Sequence, residues 1–251
     1  MRQHYIDINC DLGEGQTRAD CEQDALLMPY LSRCNIACGA HAGNEETMLQ
    51  TLINAKQHGI LCGAHPGYAD PNNFGRVSLA LKTDDIIESV LAQIQHLEQI
   101  AAQVGQNLVH IKLHGALYND AEKSPELAVT LCGCLAKQFP YLSIIGLAGG
   151  AMQVAAKKQG LPFLREGFID RAYLANGQLA PRTLSGSVYK NTEQCIAQVL
   201  AIVQQQAMTT LDGSTLLVEV DTLCLHGDSP IAYDLSTALP TEMARVGYFI
   251  A

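Results

Sequence analysis

The sequence predicts an α/β fold of about seven parallel strands and intervening helices, closed or nearly closed into a barrel. Three observations lead there. Short β-branched and aliphatic runs alternate along the chain with stretches of helical periodicity, the pattern of repeated βα units. Four of these runs end in a histidine at or one residue from glycine: His41 in NIACGAHAG, His65 in ILCGAHPGY, His114 in VHIKLHGAL and His226 in TLCLHGDSP. The chain has 251 residues, 48% hydrophobic and 16% charged, which suits one large α/β domain spanning 1–251 with a substantial core. An open doubly wound sheet is the alternative, and seven alternations favour closure. In either arrangement the four imidazoles gather along the C-terminal edge of the sheet, where parallel α/β folds place their chemistry.

The elements follow in order. Strands are expected near 4–9, 34–38, 60–64, 108–112, 142–147, 162–166 and 216–225. Asn44 suits the cap of a helix whose apolar face carries Met48, Leu49, Leu52 and Ile53, with Gly59 as its stop. Residues 84–104 give the strongest helical pattern, through Ile87, Val90, Leu91, Ile94, Leu97, Ala101 and Val104. Ser124-Pro125-Glu126 reads as a cap, a first-turn proline and a first-turn acid. Ala151 to Gln159 forms a short helix ended by Gly160, and another starts at Thr192 and runs to about Ala207. The stretch 167–191 lacks periodicity, and loops of that length in compact domains are usually functional or disordered.

Composition excludes several classes. The net charge of −9 argues against a nucleic-acid surface. No apolar run approaches the roughly 20 residues that cross a bilayer. The segment MRQHYIDINCDLGEG has no apolar core of a signal peptide, so a cytoplasmic protein with reduced thiols is expected. The nine cysteines contain no C-x-x-C pair, and the close pairs Cys34/Cys38 and Cys132/Cys134 read as core packing. There is no Gly-Lys pair, hence no Walker A loop, and no G-x-S-x-G elbow.

The chemistry-bearing residues sit at strand ends. If the first strand persists, alternation puts Asp7, Asn9 and Asp11 on one face. Carboxylates and an amide beside imidazoles suit a divalent cation or a base and its orienter, with Asp7, Asp11, His41 and His65 as candidate ligands. Lys112, inside VHIKLHGAL, would be buried, so it requires a carboxylate, a substrate oxygen or a phosphate. Arg171, in REGFIDRAYL with Glu166 and Asp170, suits a bidentate grip on a carboxylate or phosphate, and Arg76 and Arg182 are weaker candidates for that task. The glycines of GLAGG lead from a strand into a helix whose free N–H groups suit an anion. His4, His58 and His96 read as surface or helix residues, and His110 lies inside its strand.

These segments resemble the LamB/YcsF family. The matching stretches are DINCDLGEG, LMPYLSRCNIACGAHAG, GAHPGYADPNNFGR, IKLHGALYN, GLAGGAMQ, EGFIDRAYLANGQLAPR and CLHGDSP, in family order from residue 7 to 230. The resemblance implies an irregular (β/α) barrel of the polysaccharide-deacetylase type. It implies a hydrolase that opens the lactam of 5-oxo-L-proline to L-glutamate with ATP hydrolysis, acting with two partner subunits, B and C. ATP would bring a divalent metal, Mg²⁺ being the expected one. The family's polar positions carry over to Asp7, Asn9, Asp11, His41, His65, Lys112, His114, Glu166, Asp170, Arg171, His226 and Asp228. Asp11, His41, His65, Lys112, His114 and His226 are expected to be catalytic, with Asn9, Arg76, Glu166, Asp170 and Arg171 at the substrate. Asp11 or a histidine would serve as base, Lys112 would meet the oxyanion or phosphate, and Arg171 the substrate carboxylate. Ala40 stands where the family leads one to expect phenylalanine, and Asn44 where it leads one to expect aspartate. Two other readings stand beside this one: a metal-dependent amidase or deacetylase needing no ATP, and a non-catalytic binding subunit.

Overall fold

A computed structural model describes residues 3–251. Six strands alternate with helices from the start of the chain: β1 (His4–Leu12), β2 (Arg33–Ala37), β3 (Leu61–His65), β4 (Leu108–Lys112), β5 (Ser143–Leu147) and β6 (Phe163–Phe168). A two-stranded antiparallel excursion, β7 (Met208–Thr209) with β8 (Thr215–Leu216), precedes β9 (Thr222–His226). Strands β1 to β6 and β9 pair in that order, all parallel, and β9 also pairs with β1, so the sheet closes into the expected seven-stranded barrel. A short β10 (Tyr248–Ile250) adds to the start of β1. No helix among the described residues is long and apolar enough to cross a membrane.

The helices are α1 (Arg18–Ala25), α2 (Glu45–His58), α3 (Thr83–Gln103), α4 (Gly115–Lys123), α5 (Pro125–Gln138), α6 (Ala151–Gln159), α7 (Thr192–Val203) and α8 (Ala232–Arg245). Local chemistry sets several boundaries. Asn44 and Thr47 form a capping box at the start of α2, and Gly59 ends it in the left-handed conformation. The Ser124 hydroxyl caps α5 through the Leu127 amide. Helix α7 stops short of the expected end, at Val203. The strand expected over 216–225 begins only at Thr222, because Glu219 and Asp221 turn to bind Arg165. Helix α1 carries no apolar periodicity in its sequence, being polar all round and burying only Cys21.

The apolar core lies outside the barrel, between strand backs and helices. Ile8, Cys10, Leu12 and Ile36 are fully buried there with Leu52, Ile94, Leu97 and Leu131. Each such aliphatic side chain contributes roughly 1.5–3 kcal/mol by leaving water. The nine cysteines are unpaired, and all but Cys134 are buried. Cys10, Cys34 and Cys62 stand side by side across three strands.

The barrel interior is polar instead. At its N-terminal end Arg33 grips both oxygens of Asp7, which also accepts from Thr222. Above them, Asn9 donates to Thr222, Asn35 donates to Asn9 and Asp11, and His110 Nε2 donates to Asn35 Oδ1 at 2.7 Å. The His110 ring needs space that only glycine provides: a Cβ on Gly63 of β3 would lie 2.2 Å from it. Gly63→Ala is therefore expected to destabilise the fold by about 1–3 kcal/mol, the cost of overpacking, read as a lower midpoint in urea unfolding.

Candidate active site

The site is built around Lys112. Its ammonium, at the end of β4, is buried and lies 2.9 Å from Asp11 Oδ1, 2.9 Å from Glu166 Oε1, 3.1 Å from Asn9 Oδ1 and 3.1 Å from Cys224 Sγ. The Glu166 contact is ionic, since neither Glu166 oxygen has an aligned donor. Burial alone would depress the ammonium pKa, but Asp11, Cys224 and Glu166 outweigh it and hold it well above the ordinary value. Burial likewise opposes ionisation of Asp11, and His65 with Lys112 reverse that, holding its carboxyl well below the usual range.

Toward the mouth lie three imidazoles and a carboxylate. His65 Nδ1 donates to the Lys112 carbonyl at 2.8 Å, and His114 Nε2 donates to the Phe74 carbonyl at 2.9 Å. Their other nitrogens face each other at 2.9 Å. His65 Nε2 is also 3.4 Å from Asp11 Oδ2. His41 stacks on His114 with centroids 3.7 Å apart and planes 3° from parallel. Glu14 Oε1 lies 3.3 Å from His114 Nδ1 and 3.4 Å from His41 Nε2. Burial, then the Asp11 charge, pushes the Glu14 carboxyl up to about 7, while burial, then His65, pushes His41 down to about 3. Gly75, with φ +59°, permits this crowding, since a Cβ there would lie 2.9 Å from both His41 and His114.

Across the opening, Asp170 Oδ1 binds His226 Nδ1 at 2.7 Å, leaving Nε2 free. The arrangement has the geometry that a base and its orienter require. Arg76 reaches from the loop after β3 to Asp228 after β9, a 2.5 Å ion pair at the rim, with its guanidinium 4.7 Å above the Phe74 ring. A cavity of about 410 Å³ opens between these groups, its floor made by Asp11, His65, Lys112, His114, Phe168 and His226. Glu14, Arg76, Arg171, Arg182 and Asp228 also border it. Its volume lies in the range of small-molecule sites.

The strand-end residues are thus brought together, but not all in one layer. Five of the six expected catalytic residues border the cavity, and His41 stands behind Glu14 and His114. Asn9 and Glu166 lie below the cavity and hold Lys112, and Asp170 reaches it through His226. Asp7 does not join the group as a metal ligand, because Arg33 and Thr222 occupy its carboxylate at the far end of the barrel. Arg171 borders the cavity but donates to the carbonyls of Ala180 at 2.6 Å and Ser187 at 3.3 Å, so much of its fork pins the loop that follows β6. The glycine-rich start of α6 is filled by a carboxyl group of the chain's own, because Glu122 accepts from the Leu147 and Met152 amides at 2.9 and 3.1 Å. Glu14 stands in the site without a strand-end signal. Only its place in DLGEG, three residues after Asp11, pointed toward it.

A family model described as the LamB/YcsF family matches residues 6–251. The chain belongs to that family. It is 38% identical over 245 residues to the 5-oxoprolinase A subunit of Bordetella pertussis, covering 98% of this chain and 97% of that one. It is 40% identical over 242 residues to the protein of the same name from Erwinia tasmaniensis, covering 96% and 97%. Among solved structures, a lactam utilization protein from Thermus thermophilus superposes with a TM-score of 0.88 at 34% identity, over 98% of both chains.

Two outcomes follow from this geometry. Lys112→Met leaves the Asp11 and Glu166 carboxylates buried without their cation, so a loss of about 3–5 kcal/mol of stability is expected in denaturant unfolding at pH 7. Glu122 gives a pH signature. Burial raises its carboxyl from 4.5 to about 7 in the folded protein, against the two amide hydrogen bonds. The folded state therefore keeps a proton that the unfolded chain has already lost, and stability declines as pH rises from 4.5 through 7. Glu122→Gln cannot ionise. Its stability relative to the parent should rise across that window, as measured by urea midpoints at pH 4.5, 6 and 7.5.

Proposed function

We propose that the chain is the A subunit of an ATP-dependent 5-oxoprolinase, a cytoplasmic hydrolase that opens the lactam of 5-oxo-L-proline to L-glutamate together with subunits B and C. Residues 1–251 act in this reading as one catalytic domain. The observation that carries the reading is a full-length match, at 38–40% identity, to proteins named as the A subunit of 5-oxoprolinase. The cavity chemistry supports it. A five-membered lactam is a stabilised amide and a poor electrophile. Phosphorylation of its carbonyl oxygen by ATP makes the carbon reactive. Water then adds, the ring C–N bond breaks as the nitrogen takes up the proton that His226 removed from that water, and a second water hydrolyses the resulting acyl phosphate to release phosphate. With no Walker A loop in this sequence, the nucleotide step is assigned to the assembly with B and C.

Each residue has a task in this scheme. His226, aimed by Asp170 and free at Nε2, takes the proton of the attacking water. Asp11, kept ionised by His65 and Lys112, places a negative charge 3.4 Å from His65 Nε2 at the cavity floor. Lys112 provides a fixed positive field at the cavity floor. Arg76 exchanges Asp228 for the substrate carboxylate, with Arg171 behind it. Glu14, His65 and His114 are the side chains that would hold a divalent metal, which would polarise the lactam carbonyl as a Lewis acid. That grouping also favours a second reading, a metal-dependent amidase that needs no ATP.

The deciding assay is glutamate release from 5-oxo-L-proline, with and without ATP and with and without purified B and C. Negligible release is expected from the chain alone and substantial ATP-coupled release from the three together. Release by the chain alone without ATP would replace the proposal with the amidase. In the reconstituted system Lys112→Met should lower turnover by roughly 100-fold or more, and near-normal turnover of folded variant would remove Lys112 from the mechanism.

A further inference from the structure

The hydrogen bonds of His65 and His114 leave a gap between the two rings. Each ring spends its one neutral-state N–H on a main-chain carbonyl, of Lys112 and Phe74 respectively. Both remaining nitrogens therefore present lone pairs, aimed at each other 2.9 Å apart. Two facing lone pairs repel unless something positive lies between them. Two carboxylates flank the same place, Glu14 Oε1 at 3.3 Å from His114 Nδ1 and Asp11 Oδ2 at 3.4 Å from His65 Nε2.

We propose that Glu14, His65 and His114 form a three-ligand site for a first-row divalent transition cation. The spacing fits. Ligand atoms about 2.1 Å from a shared ion stand about 2.9–3.4 Å apart for angles of roughly 90–109°, and the two close separations here are 2.9 and 3.3 Å. Both imidazoles have their far nitrogens fixed by carbonyls, the outer support that metal-binding histidines require. His41 is near enough to count as a ligand. Stacked parallel on His114, however, it cannot aim its in-plane lone pair at the same point, so it braces His114 instead. A second group, Asp11, Cys224 and His226, also clusters. The Lys112 ammonium lies 3.1 Å from Cys224 Sγ and 2.9 Å from Asp11, and would repel a cation there. Two nitrogens and one carboxylate suit Zn²⁺, Co²⁺, Mn²⁺ or Fe²⁺ better than Mg²⁺ or Ca²⁺. Since Glu14, His65 and His114 all border the cavity, a further coordination position faces it, the pattern of catalytic more than structural sites.

The test uses the isolated chain, without substrate, ATP or partners, so its result is separate from that of the reaction above. Chain stripped with EDTA is titrated with Zn²⁺ by calorimetry and with Co²⁺ by visible absorption. One ion per chain is expected, with Kd of about 10 µM or tighter and ligand-field bands of a four- or five-coordinate nitrogen–oxygen site. Glu14→Gln should weaken binding by about 100-fold and abolish the Zn²⁺-induced rise in melting temperature. Its own melt in EDTA checks the fold, and Glu14→Asp, one methylene shorter, serves if Glu14→Gln does not fold. His226→Asn should leave Kd within about threefold. A proton alone shared by the two imidazoles would appear as no saturable uptake below about 1 mM and would overturn the assignment. Equal losses in Glu14→Gln and His226→Asn, or Mg²⁺ competing on equal terms with Zn²⁺, would also overturn it.

Discussion

One buried ammonium organises this protein. Lys112 sits where a barrel of this size would ordinarily pack aliphatic side chains in layers. A cation there must be surrounded by acceptors, and those acceptors come from three other strands: Asn9 and Asp11 from β1, Glu166 from β6 and Cys224 from β9, around Lys112 on β4. Each acceptor in turn needs donors, which extends the network down to Asn35, His110, Thr222 and finally the Arg33–Asp7 pair. The polar interior is thus a chain of obligations that starts at one lysine. It stays viable because most groups in it are hydrogen-bonded and Glu166, which is not, lies 2.9 Å from the Lys112 ammonium.

The same lysine links the two halves of the mouth. Its carbonyl fixes the tautomer of His65, while its ammonium keeps Asp11 ionised beside that ring. On the other side it lies 5.7 Å from the Phe168 ring, which stacks on His226. Main-chain and side-chain atoms of one residue therefore set the electrostatics of both the histidine cluster and the Asp170–His226 pair.

Much of this was legible in the sequence, and the exceptions have physical causes. Strand ends could be read because glycine next to histidine marks the place where a buried run turns out of the sheet. The barrel followed from the number of alternations. Strand alternation, however, reports the face and not the height. Asp7 and Asp11 share a face, but four residues of strand separate them by about 13 Å, so Asp7 belongs to the opposite end of the barrel. Glu14 lies past the strand in a turn, and its partner His114 is distant in sequence. Nothing local signals that contact. Arg171 is placed at the cavity as its sequence suggests, but its bonds to the main-chain carbonyls of Ala180 and Ser187 are set by a loop without periodicity and carry no local signal. The glycine-rich start of α6 shows a third limit: free helix N–H groups say nothing about whether the chain fills them itself, as it does with the Glu122 carboxyl.

The burial of the thiols has a practical side. Eight cysteines are sealed beneath helices or inside the barrel and only Cys134 is partly accessible. The native chain is therefore nearly silent toward maleimides and spin-label reagents. With Cys134 replaced, a single cysteine introduced at the exposed tip of the 175–178 loop or on the outer face of α8 would carry a fluorophore or nitroxide at one known place. Distances between that reporter and a second label elsewhere on the chain could then be read without dismantling the sulfur-rich packing that the barrel relies on.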